Sequence, residues 1–125
     1  MSQSPSPVVL IVEDEPLVRM LAVEAFLDAN FVVLEAASAS EALLVIDGSD
    51  TVNLLFTDVN MPGDMNGIAL SEYLFGLRPD LKIIVTSALP LLREVDHVGA
   101  CFLPKPYDMD GLCDMAERLS PAPVQ

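Results

Sequence analysis

The stretch Leu54-Leu55-Phe56-Thr57-Asp58-Val59-Asn60-Met61-Pro62-Gly63 decides the fold, because an apolar run ends there at a carboxylate. Its first four residues are apolar or β-prone, a pattern that favours a buried strand. Pro62 and Gly63 stop any continuation, so Asp58 lies where the strand leaves the sheet. Ligands bind at this edge of an open α/β sheet, which makes Asp58 the first candidate functional residue.

Length and composition are those of one compact domain. The chain has 125 residues, of which 52% are hydrophobic and 20% are charged. A chain of this length can bury most of its unfolded surface around one core, and this balance argues against a disordered protein. We expect one folded domain over residues 8–119, a disordered segment at residues 1–7 and a loose tail at residues 120–125.

The charge balance excludes one class of partner. Six Lys and Arg residues stand against nineteen Asp and Glu residues, which gives a formal net charge of −13. Such a chain repels a phosphate backbone, so we expect no direct binding to nucleic acid. The apolar stretches are too short to span a bilayer, and residues 2–7 carry no positive charge that would mark a secretory signal. We therefore predict a cytoplasmic protein that does not bind membranes.

Four other β-prone runs surround this stretch, and helical patterns separate them. The first run ends in Glu13-Asp14-Glu15, so acids follow a second buried strand. The alternation predicts parallel pairing, right-handed crossovers and helices on both faces of the sheet, which is an α/β doubly wound fold. The other predicted strands are Val8–Val12, Phe31–Ala36, Leu81–Thr86 and Ala100–Leu103, and the predicted helices are Pro16 to about Ala29, Ser38 to about Asp47, about Gly67 to Arg78, and Met109 onward.

Local signals mark the connections and the helix ends. Ser38-Ala39-Ser40-Glu41 has the spacing of a capping box, and a turn is expected over Gly48 to Asn53. The first helix is apolar nearly all round, so we expect it to pack tightly on the sheet. Between Leu89 and Val98, Pro90 leaves room for only a short helix. Asp108 can cap a last helix, whose apolar stripe is Met109, Leu112, Ala116 and Leu119.

Parallel strands bring five polar side chains to one edge of the sheet: Glu13, Asp14, Asp58, Ser87 and Lys105. Two carboxylates about 4 Å apart repel by roughly 4 kcal/mol at an effective dielectric near 20, so the cluster calls for a cation or a raised pKa. Oxygen-only ligation at a half-open site suits Mg²⁺. No nitrogen or sulfur ligand reaches this edge, which disfavours zinc.

Four motifs at strand ends resemble those of the receiver domains of two-component response regulators. The motifs are the acidic pair Glu13-Asp14, Asp58 in Asp-x-x-Met-Pro-Gly, Ser87-Ala88 and Lys105-Pro106. The resemblance covers Val8 to about Leu119, so the domain over residues 8–119 is similar to a stand-alone, chemotaxis-type receiver. It implies a five-stranded parallel sheet of strand order 2-1-3-4-5, which is flavodoxin-like, with helices on both faces.

The resemblance also implies a chemistry for the acids. Asp58 corresponds to the phosphoacceptor, which takes a phosphoryl group from a histidine kinase or a histidine phosphotransfer protein. Asp14, Asp58 and the backbone carbonyl of Asn60 correspond to the ligands of Mg²⁺, to which Glu13 contributes through water. Such a protein is not an enzyme with a separate substrate, since phosphorylation and dephosphorylation of its own aspartate are self-catalysed.

The remaining motifs imply a switch. Lys105 would neutralise charge on the phosphoryl group, with a cis peptide bond to Pro106 aiming it inward. Ser87 would hydrogen-bond a phosphoryl oxygen and pull the following loop. Phe102 stands where the family has a switching aromatic residue. The resemblance names neither the cognate kinase nor the downstream protein, and a homodimer through the face of the fourth helix, fifth strand and fifth helix is one option.

Departures from the family pattern keep an alternative open. The segment from Ser87 to Lys105 is about one helical turn shorter than expected, and Leu89 offers no hydrogen bond to an attacking water. A degenerate receiver that acts as a phosphorylation-independent interaction module is the alternative, although the intact acids, Ser87 and Lys105 argue against it. An aspartyl-phosphate hydrolase is disfavoured because Asn60 stands where that chemistry needs a second acid. His97 lacks a partner motif and is expected to be a surface residue.

Overall fold

In a computed structural model, the protein is described over residues 6–49, 51–63, 65–89 and 100–119. Within these ranges, no helix is both long and apolar enough to cross a membrane. The strands and helices follow one another as β1 (Val8–Val12), α1 (Pro16–Asp28), β2 (Val32–Ala36), α2 (Ala39–Asp47), β3 (Val52–Asp58), α3 (Gly67–Leu77), β4 (Lys82–Ser87), β5 (Ala100–Pro104) and α4 (Met109–Leu119).

The five strands form one parallel sheet in the order β2-β1-β3-β4-β5. This confirms the predicted α/β fold and its strand order. β1 and β3 are neighbours, and their register pairs Val12 with Thr57. The residues that follow these two positions, Glu13 and Asp58, therefore leave the sheet side by side.

Some predictions fall on residues outside the described ranges. The disorder predicted at residues 1–7 concerns mainly residues 1–5, which lie outside them, as does the tail at residues 120–125. The short helix predicted between Leu89 and Val98 falls almost wholly on residues 90–99, which include His97 and also lie outside the described part of the chain. These expectations stay predictions.

Side chains of the central strands alternate between two apolar layers. Leu10 and Val12 of β1 pack with α2 and α3 on one face, whereas Val9 and Ile11 pack with α1 and α4 on the other. In the second layer, the Phe26 ring meets Phe31 and Phe56 edge-on, with centroid distances of 5.2 and 5.5 Å. Burial on both faces explains why the strands of this sheet read as continuous apolar runs.

β3 begins two residues earlier than the turn predicted over Gly48 to Asn53 would allow. Val52 pairs with Val8 in the ladder, and the register then shifts between Val8 and Val9. At this irregularity the backbone N–H of Val8 donates to Oδ1 of Asn53 at 2.8 Å. A side-chain amide thus replaces a ladder carbonyl, which an apolar-run criterion cannot detect.

α1 packs on the sheet, as predicted, but through one side of the helix only. Its buried residues are Ala22, Ala25 and Phe26. A flat sheet can cover only one side of a helix, so the apolar residues on the other side stay in solvent. The exposed ones are Leu17 (75%), Met20, Leu21 and Leu27.

The predicted caps are present. Ser38 accepts a hydrogen bond from the Glu41 N–H at 3.2 Å, and Glu41 in turn accepts one from the Ala37 N–H at 3.1 Å. Asp108 caps α4 by accepting from the Gly111 N–H at 2.7 Å. In α4, Leu112 and Ala116 are buried, and Met109 and Leu119 pack against them. The predicted stripe is therefore the face that docks on the sheet.

Gly67 allows α3 to begin directly against the end of β3. Its N–H donates to the Val59 carbonyl at 2.9 Å, and a Cβ at this position would overlap the Asp58 carbonyl oxygen. Only glycine permits such a close approach of two backbones. The start of α3 therefore depends on the absence of a side chain at Gly67.

We predict that Gly67→Ala lowers the free energy of unfolding by about 2 kcal/mol or more, because β3 and α3 must separate. Gly76→Ala in the same helix is the matched control, since nothing lies within 4 Å of a Cβ built there. That control should raise the free energy of unfolding by about 0.5–1 kcal/mol. Urea denaturation measures both, and equal effects would contradict the proposed close approach.

Candidate functional site

Three carboxylates meet at the carboxyl ends of β1 and β3. One oxygen each of Glu13, Asp14 and Asp58 lies within 4.8 Å of the others. Glu13 and Asp58 are nearly inaccessible, at 2% and 6% exposure, whereas Asp14 is half-buried. The sheet thus brings together the three acids that the sequence singled out, because neighbouring parallel strands end at the same edge.

Lys105 faces this cluster from the loop after β5. Its Nζ lies 3.1 Å from Oε1 of Glu13 and 3.5 Å from Oδ2 of Asp58. The backbone N–H of Lys105 donates to the Ser87 carbonyl at 2.9 Å, which fixes the loop to the end of β4. The Lys105–Pro106 peptide bond is cis, as expected. One cation therefore contacts two of the three acids.

Burial dominates the electrostatics of the two inner acids. It raises the pKa of Glu13 and the pKa of Asp58 above their ordinary values, and the hydrogen bond and charge of Lys105 offset this only in part. Burial also acts to lower the pKa of Lys105. The hydrogen bond to Glu13 and the negative charges of Asp58 and Glu13 outweigh it, so the pKa of Lys105 is raised. Lys105 therefore stays protonated at neutral pH.

Ser87 lies at the same edge, buried at the end of β4. Its Oγ accepts hydrogen bonds from Nδ2 of Asn60 at 3.3 Å and from the N–H of Leu89 at 3.1 Å. Both contacts use the oxygen as acceptor, so the hydroxyl hydrogen stays available for donation. Phe102, the remaining candidate, is partly buried in β5 opposite Val85.

Sequence reasoning missed Arg19 as a support of the site. Its Nη1 donates to the Glu13 carbonyl at 2.7 Å, and its Nε donates to Oε1 of Glu35 at 3.1 Å. The guanidinium thus holds the turn that carries Glu13 and Asp14. Arg19 is the fourth residue of α1, and nothing in the sequence indicates that its side chain reaches back to the turn after β1.

Tyr107 is a second residue that was missed. Its ring packs edge-on against Phe56 at a centroid distance of 5.8 Å. Burial, with the charges of Glu13 and Asp58, raises the pKa of Tyr107 to about 12. The phenol therefore stays neutral and supplies an apolar wall beside the acids. The sequence placed Tyr107 two residues after Lys105, and that position could have indicated a residue near the site.

The donor set fits a hard divalent cation. Three carboxylates offer only oxygen ligands, they converge within 4.8 Å, and Asp14 keeps one side open to water. A cation with several retained waters suits such a half-open site, whereas nitrogen- or sulfur-preferring metals find no ligand among these residues. The same edge presents Lys105 and Ser87 as donors, so an anionic group beside the acids would meet two hydrogen-bond donors.

Comparison with known proteins finds similar sequences and structures among regulatory proteins. The C4-dicarboxylate transport transcriptional regulatory protein DctD of Rhizobium meliloti is 32% identical over 92% of this chain, which spans only 25% of that protein. Sporulation initiation phosphotransferase F of Bacillus subtilis is 26% identical over 90% of this chain and 93% of its own length. A solved response regulator receiver protein from Pseudomonas putida is 28% identical, with a TM-score of 0.82 over 92% of this chain and 98% of that one.

The family model described as the response regulator receiver domain matches residues 9–117, which include every strand end discussed above. The sheet order and the acidic cluster agree with that match. The chain therefore belongs to the family of response regulator receiver domains of two-component systems.

Proposed function

We propose that this receiver is a phosphorylation-controlled switch or phosphorelay intermediate, with Asp58 as the phosphoacceptor. A carboxylate oxygen of Asp58 forms a bond to the phosphorus of a phosphohistidine on a histidine kinase or phosphotransfer protein, while the phosphorus–nitrogen bond breaks. One observation carries the proposal. Asp58 lies buried among two further acids with the Lys105 ammonium 3.5 Å away. A carboxylate whose only role was to cap a helix would not need to be buried beside two other acids and a lysine.

The acids have a second task in this proposal, which is to hold Mg²⁺. Asp14, Asp58 and the backbone carbonyl of Asn60 would hold it, and Glu13 would contribute through water. When bound, Mg²⁺ cancels the repulsion between the carboxylates and an incoming phosphoryl group. Glu13 also has a role of its own, since it anchors Lys105 at 3.1 Å. That contact keeps the ammonium beside Asp58, where it can bind a phosphoryl oxygen.

Ser87 is the proposed sensor of phosphorylation. Its oxygen already accepts from Asn60 and Leu89, so the free hydroxyl hydrogen can donate to a phosphoryl oxygen on Asp58. A shift of Ser87 toward that group would carry Leu89 with it, because the Leu89 N–H is bonded to the same oxygen. Phe102 of β5 is the proposed aromatic residue that responds to this shift. It pairs with Val85 of β4, two residues before Ser87. Moving such a switch from 1:99 to 99:1 needs about 5.5 kcal/mol of differential binding.

The likeness to sporulation initiation phosphotransferase F supports a regulator that works as a single domain, since the match spans 93% of that protein. We propose a cytoplasmic protein whose signal passes to a separate downstream protein. The net charge of −13 argues against nucleic acid as that target. A homodimer through the face around β5 and the last helix remains an option of the same proposal, and sedimentation with beryllofluoride distinguishes it from a monomer.

We predict that phosphoramidate with Mg²⁺ adds one phosphoryl group to the wild-type chain, and that beryllofluoride with Mg²⁺ shifts the NMR signals around Asp58. Chelation of Mg²⁺ with EDTA should abolish both responses, because the carboxylates then repel the anion. Asp58→Ala is the control and should show neither. If wild type and Asp58→Ala give the same mass and the same shifts, the phosphoacceptor proposal fails.

Ser87→Ala should separate acceptance from switching. We expect this variant to accept the phosphoryl group within a few-fold of the wild-type extent. A hydrogen bond to a charged group contributes about 1.5–3 kcal/mol, so the switched fraction should fall by about tenfold or more. NMR shifts of Leu89 and Phe102 with beryllofluoride measure that fraction. Wild-type shifts in Ser87→Ala would exclude Ser87 as the sensor.

The acid cluster should destabilise the Mg²⁺-free protein. The pKa values of Glu13 and Asp58 are raised in the folded state, so the folded protein binds more protons than the unfolded one above about pH 4. This contribution lowers the free energy of unfolding as pH rises from about 4 through the raised pKa values. Asp58→Asn should therefore gain on the order of 1 kcal/mol at pH 7 in EDTA, measured by denaturation. Saturating Mg²⁺ should stabilise wild type more than the variant. A less stable variant in EDTA would contradict the predicted cost of burying the charged Asp58 carboxylate.

A further inference from the structure

An open cavity of about 640 Å³ lies at the end of the molecule opposite Asp58. It is formed by the start of β3, the connection from α3 to β4 and the end of α4. β3 is seven residues long, so its start lies about 20 Å from the acidic cluster. The cavity is therefore separate from the proposed phosphoacceptor site, and its volume falls in the range of small-molecule sites.

Three basic residues line this cavity, which we call the basic cavity: Arg78, Lys82 and Arg118. They are half of the six Lys and Arg residues in a chain of net charge −13. Among the described lining residues Asp80 is the one acid, and Arg78 has other partners, so Lys82 and Arg118 are the cations left to meet a ligand. The local sign is thus opposite to that of the chain as a whole, and a concave surface of one sign concentrates ions of the other.

Lys82, Arg118 and Asn53 offer hydrogen-bond donors to the basic cavity. Nη2 of Arg78 donates to the Ile46 carbonyl at 2.9 Å, which anchors its guanidinium. Within the described residues, Lys82 and Arg118 form no side-chain hydrogen bond or ion pair. Oδ1 of Asn53 accepts a hydrogen bond from the Val8 N–H at 2.8 Å. The NH₂ group of the same side chain can therefore donate to a ligand.

Favourable interactions with helix dipoles explain the positions of only some of these basic residues. Arg118 lies in the last turn of α4, and Arg78 is the C-cap of α3, positions at which a cation is favourable. Lys82 opens a β-strand, where no such dipole acts. The helix dipoles therefore account for the positions of Arg78 and Arg118 but not for that of Lys82.

Apolar side chains supply the rest of the wall. Leu77, the last residue of α3, is 60% exposed. Leu119, the last residue of α4, is half-buried. Both line the basic cavity beside the cations. A ligand that joins an anionic head to an apolar body would satisfy the cations and cover these leucines at the same time.

We propose that the basic cavity binds a small organic phosphate monoester. Its phosphate group can contact Lys82 and Arg118 together, and guanidinium groups bind phosphate oxygens in pairs. Lys82, Arg118 and the Asn53 amide are the groups that hold the phosphate, while Leu77 and Leu119 contact the apolar body. This site does not depend on phosphorylation of Asp58.

Phenyl phosphate is the probe, with NMR titration of the full chain in EDTA as the measurement. We expect saturable shifts of the Asn53, Lys82 and Arg118 amide signals with a dissociation constant below about 1 mM, and therefore near saturation at about 10 mM. Phenol should not bind, and inorganic phosphate should bind more weakly. Failure of phenyl phosphate to saturate at about 10 mM, equal binding of phenol, or equal binding of inorganic phosphate would each overturn the proposal.

Matched variants localise the site. Lys82→Gln and Arg118→Gln should each weaken binding about tenfold, because each removes a charge-assisted hydrogen bond. Arg19→Gln removes the same charge far from the basic cavity and should leave the dissociation constant within about twofold. Asp58→Ala should also bind normally, so this result is independent of the phosphoacceptor test. Unchanged affinity in Lys82→Gln and Arg118→Gln, or an equal loss in Arg19→Gln, would overturn the assignment.

Discussion

The burial of Glu13 and Asp58 beside a third acid, Asp14, is the constraint on which the rest of this structure depends. Three carboxylates within 4.8 Å are unfavourable where two of them are buried, and of these three acids Lys105 pairs with Glu13 and Asp58. Burial raises the pKa of both inner acids in spite of that cation. Lys105 alone therefore does not neutralise these acids, and a divalent cation bound to them would remove an energetic penalty as well as prepare the chemistry.

The sheet supplies the rigidity that keeps these charges together. β1 and β3 are central, paired in register and buried on both faces, so neither strand end can retreat without breaking the core. Arg19 clamps the Glu13 carbonyl, and Gly67 lets α3 start against Asp58. Packing energy from two apolar layers thus offsets the local repulsion. A strained charge cluster of this kind is tolerated only where the surrounding structure fixes it.

The parts predicted from sequence are those that depend on local pattern. Apolar runs that end in polar residues located Asp58, Glu13-Asp14 and Ser87, and parallel topology then placed them together. What sequence did not reveal depends on side chains that reach across the fold. Arg19 returns to β1, Asn53 replaces a ladder acceptor, and Leu17 stays exposed because the sheet covers one side of α1. The conformation of residues 90–99 stays a prediction, and so does the switching role of Phe102.

The two ends of β3 carry opposite local charge, and this bears on whether their ligands communicate. Val52 and Asn53 lie at the basic cavity, and Asp58 lies among the acids. Coupling between two sites needs an element with two arrangements that both ligands bias. β3 is hydrogen-bonded to β1 and β4 along its length, and its apolar residues are fully buried, so the strand itself offers one arrangement. Binding at the two ends of β3 should therefore be additive.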